Sequence, residues 1–510
     1  MGNLTGPNTG NLTRRGVVVG GAALLGSAAV LRGAPASAAP DTEGQWSTVY
    51  NWPDVAIHQY LLPDSRPQDG IINVLTWADD DSVFPPYRLA GFSKAFVVTI
   101  RDGEPLTSYV NVFNEETNLF CAGHTPLADG RLFVVGGHEG KNDVGAAEAT
   151  IFESARYRWV KQPQLMNAGR WYGTAVLLAN GEVLALSGTI AGAGDINPLP
   201  QVWKTNSGGG WRDLTNARKK IPYYPRCVLS PNGRVFVAGT AQSTYYLNTA
   251  GTGSWSSGPK RLDPSRTAGA CVIYDAFKLI MVGGGVNPPL KKTEIINLAA
   301  TTPKWTRTGD MSFARRHCNG VLLPDGTVLA VGGTSGDGNN NAAGRVLIAE
   351  RWNPATGIWT KLASMSVPRL YHSTAILLPD ARVLVAGGGR GSGGVDYENA
   401  QIYSPPYLFA GARPSITSAP ATIGYGQNLA VGTSTPSSIT GAILIKLAAT
   451  THDDNMSQGV QRFSVTGTNR TATGIAVKVA SNRNALPPGH YMLFVLASGV
   501  PSVARIIRVA

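Results

Sequence analysis

The chain has 510 residues, 43% of them hydrophobic, which exceeds an ordinary single domain and allows a large core. Its net charge of +12 is scattered rather than clustered, so no nucleic-acid site is expected. The four cysteines, at 121, 227, 271 and 318, form no CxxC pair, so neither a structural zinc site nor a dense disulfide framework is indicated.

The chain opens with TRRGVVVGGAALLGSAAVLRGAPASAAP, which has Arg14 and Arg15, an apolar stretch from Val17 to Leu31, and small residues at Ala36, Ser37 and Ala38. This pattern is that of a twin-arginine export signal over residues 1–38, and it predicts a secreted or envelope-associated protein. The apolar stretch is short and glycine-rich for a membrane span, and no other segment reaches spanning length, so the mature chain is expected to have none.

With 61 glycines, 33 prolines and no long helical periodicity, the remainder reads as all-β. One unit recurs: TNLFCAGHTPLADGRLFVVGG (117–137), GRWYGTAVLLANGEVLALSG (169–188), YYPRCVLSPNGRVFVAG (223–239), AGACVIYDAFKLIMVGG (268–284), RRHCNGVLLPDGTVLAVGG (315–333) and RLYHSTAILLPDARVLVAGGG (369–389). Each is an apolar strand, usually an Asp-Gly or Asn-Gly turn, a second apolar strand and a pair of small residues. The second strands end about fifty residues apart, and between them lie weaker strands closed by tryptophan, as in IFESARYRW and ERWNPATGIW. Four strands per period make a propeller blade, and a weaker copy at 55–78 brings the number to seven. A seven-bladed, Kelch-like β-propeller is therefore expected over 39–411. After a proline-rich boundary from Pro405 to Pro414, short alternating strands over 412–510 fit an immunoglobulin-like sandwich.

Aligned on the turn glycine or its equivalent Ala381, the repeats place Cys121, Tyr172, Tyr224, His317 and His372 at one shared position. Tyr371 stands one residue earlier, where other repeats have Phe120, Trp171 and Arg316. Equivalent positions of successive blades surround the propeller axis. An ordinary core would carry Val, Leu or Ala there. Imidazoles with phenols suit Cu(II), and a tyrosine beside a thiol offers a redox-active partner.

The residues resemble the copper radical oxidases, the galactose oxidase and glyoxal oxidase family, over nearly all of the mature chain. The motifs that carry the resemblance are LFCAG at Cys121, GRWYGT at Tyr172, YHS at Tyr371 and His372, TTHDDN at His452, and PPGHYMLFV with GVPSVA in the C-terminal part. The resemblance implies a thioether joining Cys121 to Tyr172 as a radical cofactor, and one copper held by Tyr172, Tyr371, His372 and His452. His452 would then reach the propeller axis on a loop of the second domain. It also implies oxidation of a small aldehyde or a primary alcohol, free or on a glycan, with O2 reduced to hydrogen peroxide.

Trp171, Tyr224, Arg226 and His317 are further pocket candidates, and Cys227, Cys271 and Cys318 read as plain buried thiols. The tryptophan that galactose oxidase carries after the glycine pair is replaced here by SGTIAG, with Ile190 nearest, so any shield over the radical would come from elsewhere, such as Trp171. No match to the galactose-binding arginine and glutamine is found, whereas GRWY and YYPR look like the glyoxal oxidase side of the family. The chain is expected to act as a monomer. A different expectation, a non-catalytic propeller that binds a glycan or a protein partner, follows equally from the repeats alone.

Overall fold

The computed structural model describes residues 39–79, 93–101, 104–140, 143–390 and 394–510; the export signal expected over 1–38 lies outside the described residues. No helix among them is long and apolar enough to cross a membrane.

Asp-Gly and Asn-Gly turns join the first two strands of four blades, with the glycine left-handed at Gly130, Gly181, Gly233 and Gly326. In the seventh blade Ala381 takes the same conformation at φ 72°. The inner strands of the seven blades are His58–Leu61, Gly123–Pro126, Trp171–Leu177, Cys227–Leu229, Gly269–Asp275, Arg316–Leu322 and Ser373–Leu377. From each the chain steps outward through antiparallel neighbours. The seventh blade is completed by the N-terminal strand Gln45–Trp46, which pairs with Asn399–Ser404 and closes the ring. Trp46 packs on Tyr403 at 4.9 Å, and the Tyr403 hydroxyl donates to Glu43 O at 2.6 Å.

The paired small residues at the ends of the second strands have a steric reason. A Cβ at Gly136, Gly283 or Gly332 would run into the backbone carbonyl of Arg170, Arg315 or Arg369 in the next blade. The following glycine donates its N–H to that same carbonyl, from Gly137 to Arg170 at 3.2 Å, Gly284 to Arg315 at 2.7 Å and Gly333 to Arg369 at 2.7 Å. The arginine side chains turn back into their own blades. Arg170, Arg315 and Arg369 donate to Ser187 O, Gly332 O and Gly387 O at 2.9, 3.0 and 2.8 Å, and Arg266 does the same to Gly283 O at 2.8 Å. All four are buried, and burial pushes Arg170 and Arg369 down to about 9. Each buried guanidinium thus ties a strand end to the start of its blade.

The C-terminal sandwich packs the sheet of Ile416–Ser418, Asn428–Thr433, Gly474–Lys478 and Arg470–Thr471 against Thr422–Ile423, Arg505–Val509, Gly489–Ala497, Gly441–Lys446 and Val460–Ser464. Its core is separate from the propeller's and includes Leu429, Val431, Ile475, Tyr491 and Leu493. Asn428–Thr433 alternates exposed and buried side chains, as a strand with one wet face should. The sandwich also sends the short strands Ala449–Thr451 and Asp454–Asn455 into the propeller, where the first pairs with His58–Leu61 and makes the first blade six-stranded. The segment expected as a loop is therefore a hairpin added to a blade's inner edge.

Candidate metal and redox centre

Every blade bears one left-handed residue at the start of its inner strand: Ala56, Cys121, Tyr172, Tyr224, Ala268, His317 and His372, with φ between 41° and 67°. None is glycine, and each such residue costs on the order of 1–2 kcal/mol. Strain of this kind concentrates where side-chain direction matters for function. The position is steadied by bonds between blades. Tyr172 N donates to Cys121 O at 2.9 Å, Tyr224 N to Tyr172 O at 3.0 Å and His317 N to Ala268 O at 2.8 Å. Cys121 N donates instead to the His58 imidazole Nε2 at 3.1 Å. The repeat alignment found five of the seven members; Ala56 and Ala268 complete the ring with small side chains.

The sandwich hairpin delivers His452 into this ring. His452 Nε2 lies 3.1 Å from the Tyr172 hydroxyl and 3.5 Å from Cys121 Sγ. Its other nitrogen, Nδ1, is 2.6 Å from Thr451 Oγ1; in the tautomer whose Nδ1–H donates to that hydroxyl, the Nε2 lone pair faces the ring. His372 is fixed in the same sense. Its Nδ1–H donates to Gly389 O at 2.8 Å, and its Nε2 is buried without a hydrogen-bond partner. Among the described residues, the ligand atoms of Cys121, His372 and His452 fall within 4.8 Å of one another.

The aromatic rings complete the enclosure. Tyr371 stacks on His372 at 3.7 Å and meets His452 edge-on at 5.5 Å. The two imidazoles stand at 87° with centroids 4.5 Å apart. Desolvation pushes His372 down to about 3 and His452 well below the usual imidazole range, so both are neutral and able to ligate. Burial raises the Tyr371 phenol well above its ordinary value, and the neighbouring Cys121 adds to this. A neutral, desolvated phenol in that place needs a cation beside it to ionise.

Two neutral imidazoles and two phenols around an orphaned, buried Nε2 are a donor set suited to one tetragonal N,O-bound metal ion, and Cu(II) fits it. Structural zinc would ask for a closed tetrahedral set, usually with thiolates.

Trp171 lies against Tyr172, with ring centroids 3.9 Å apart at 51°, and its indole N–H is buried without a partner. It is half-buried, as are Tyr172 and Tyr371. His317 sits beside Tyr371 at 4.9 Å, with Nε2 3.1 Å from Asn339 Oδ1. The other two pocket candidates are buried beside the ring. Tyr224 is 4% exposed, packs on Tyr172 and His452 at 4.7 Å each, and donates its hydroxyl to Ala122 O at 3.3 Å. Arg226 is 3% exposed and engaged by backbone carbonyls and a carboxylate. Cys227, Cys271 and Cys318 are free thiols in the inner strands of their blades, and burial raises all three, Cys271 and Cys318 to about 12.

The sequence reading missed His58, which holds the Cys121 backbone, and Thr451, whose hydroxyl meets His452 Nδ1. A His two places after the small ring residue Ala56 has no counterpart in the other repeats, so nothing in the pattern marked it.

Known proteins resemble the chain along most of its length. Residues 275–403 match the glyoxal oxidase N-terminus, and residues 413–509 match the galactose oxidase-like early set domain. A galactose oxidase of Gibberella zeae is 29% identical, over 91% of this chain and 70% of the relative. An aldehyde oxidase GLOX of Vitis pseudoreticulata is 27% identical, over 67% of this chain and 72% of the relative. Among solved structures, a fungal alcohol oxidase of the AA5 family in complex with copper shares the fold, with a TM-score of 0.81 and 24% identity over 92% of this chain and all of the other. The chain is similar over most of its length to the galactose oxidase-like and glyoxal oxidase-like enzymes, the copper radical oxidases, and is an oxidase.

Proposed function

We propose that this oxidase oxidises a small aldehyde or a primary alcohol, free or on a carbohydrate, by two electrons and passes them to O2, giving hydrogen peroxide. The observation that carries the reading is the meeting of three elements from two domains at one point: His452 Nε2 lies 3.1 Å from the Tyr172 hydroxyl and 3.5 Å from Cys121 Sγ. Tyr172, Tyr371, His372 and His452 would hold one copper ion, and Cys121 and Tyr172 would be joined by a thioether.

Copper bound there supplies a one-electron acceptor and an open position for substrate oxygen. The remaining work belongs to the chain. Tyr371 Oη takes the substrate hydroxyl proton, a role supported by its half-buried place beside both imidazoles. Tyr172, in its oxidised state, takes the hydrogen atom from the adjacent carbon. Sulfur substitution makes that oxidised state easier to reach. Trp171 covers one face of the Tyr172 ring and keeps water from it, as its 3.9 Å approach supports. An aldehyde enters as its hydrate and leaves as the acid. Small substrates are favoured because Arg226, the one arginine among the pocket candidates, is already engaged inside the protein.

We further propose the division 1–38 export signal, 39–411 propeller and 412–510 sandwich, with delivery outside the cytoplasm by the twin-arginine route. A peroxide assay over aldehydes, alcohols and sugars tests the activity. Copper-loaded protein should turn over and chelator-treated protein should not. Tyr371→Phe should fold with an unchanged melting temperature and lose on the order of 10²-fold or more of turnover, the scale of positioned acid–base catalysis. Full activity in that variant would remove Tyr371 as the proton acceptor, and no peroxide from any substrate class would leave the non-catalytic binding reading.

A further inference from the structure

The turn that presents His452 is locally unfavourable. Thr451 pairs with Asp454, so His452 and Asp453 form a two-residue hairpin turn, and both are left-handed, at φ 47° and 62°. Such turns ordinarily use Asn-Gly or Asp-Gly. The pair His-Asp has no glycine to relieve it, and the turn belongs to the sandwich while its side chain must reach residues of the propeller.

We propose that Arg226 is a positioning residue, a buried guanidinium clamp by which the propeller fixes the His452–Asp453 turn and thereby sets the place of the His452 imidazole. The proposal rests on the reading of His452 as a metal ligand. Arg226 follows the fourth blade's ring residue, Tyr224, by two positions, and its donors join three parts of the molecule. Nη1 donates to Tyr224 O at 2.7 Å and Nε to Gly269 O at 3.1 Å, which ties the fourth blade to the fifth. Nη2 reaches the turn, donating to His452 O at 3.2 Å and Asp453 Oδ2 at 3.3 Å. Asp454 Oδ1 stands 3.8 Å from Nε.

This arrangement departs from the four arginines that tie strand ends. Arg170, Arg266, Arg315 and Arg369 precede their ring residues and donate to carbonyls of their own blades. Arg226 follows its ring residue and donates outward to another domain. Its planar fork can hold a carbonyl and a carboxylate in fixed relation, which a lysine ammonium cannot. The clamp also extends toward Tyr371. The second Asp453 oxygen lies 3.5 Å from His317 Nδ1, and the His317 ring is 4.9 Å from Tyr371. One carboxylate thus links the clamped turn to the residue beside the phenol.

The test uses the full chain loaded with Cu(II), with affinity measured by chelator competition and the coordination followed by the Cu(II) electron paramagnetic resonance spectrum. Arg226→Met should fold cooperatively, bind Cu(II) roughly 10–100-fold more weakly, and show a changed spectrum, the size of effect expected of groups that orient ligands. Arg226→Ala should regain part of the affinity in millimolar guanidinium. Because Arg226→Met leaves Asp453 buried and bare, the double variant Arg226→Met with Asp453→Asn is measured alongside, and it should show the same loss. Wild-type affinity and spectrum in either folded variant would overturn the clamp. Failure of the unaltered protein to bind Cu(II) would instead overturn the metal-ligand reading.

Discussion

One backbone carbonyl decides what His372 can do. Because Nδ1–H is committed to Gly389 O, the imidazole can only present Nε2 as a lone pair, and burial keeps it unprotonated. His124 is a harsher case. It is fully buried against Trp77 and His58, both ring nitrogens lack partners, and desolvation pushes it down to about 3. In the unfolded chain the same group titrates near 6.5, so below that pH the unfolded state binds a proton that the folded state refuses. Its contribution is intact above about pH 6.5 and is lost as pH falls toward about 3. His124→Leu should therefore flatten the acid side of the stability profile by a few kcal/mol. Urea unfolding at pH 7 and pH 4 measures it, and an identical pH dependence in both proteins would refute the assignment.

At the scale of the element, the paired small residues show how far the sequence could be read. Their period was plain, and it yielded seven blades. Their reason was not, because a neighbouring blade's carbonyl is about fifty residues away in sequence and carries no local signal. Gly387 is the clearest example: it is left-handed at φ 73°, and a Cβ would strike Val55 O of the first blade. Gly387→Ala should cost roughly 3 kcal/mol or more in denaturant unfolding, since strain and overlap act together. A loss below about 1 kcal/mol would show that the blade junction yields. The tying arginines were visible in GRWYG, SRTAG, ARRHC and RLYHS, yet they passed unread because buried arginine is rare unless fully partnered. The His452 hairpin was legible as something that must reach the axis. Its pairing with His58–Leu61 was not, because strands of three and two residues give no alternation to detect.

For the whole molecule, function depends on closures made by distant segments. Gln45–Trp46 completes the seventh blade, and the sandwich hairpin extends the first. Removing residues 39–47 should lower the melting temperature by several degrees and expose the Asn399–Ser404 edge to aggregation. Calorimetry with light scattering follows both, and an unchanged transition would mean that the ring does not need this strand. The ring of Cys121, Tyr172, Tyr224, His317 and His372 was recoverable from the repeat alignment because equivalent blade positions face one axis. What could not be recovered was the division of labour within it. Tyr224 and Arg226 look alike to a pattern of motifs, and only burial and hydrogen bonding show that both are engaged inside the protein.

In the proposed function, Cys121 and Tyr172 form one redox unit completed by His452. The most direct measurement is the intact mass, with peptide mapping, after copper loading in air. The account predicts a loss of two hydrogens located in a cross-linked species containing the Cys121 and Tyr172 peptides. An unchanged mass, with Cys121 open to alkylation after loading, would contradict it.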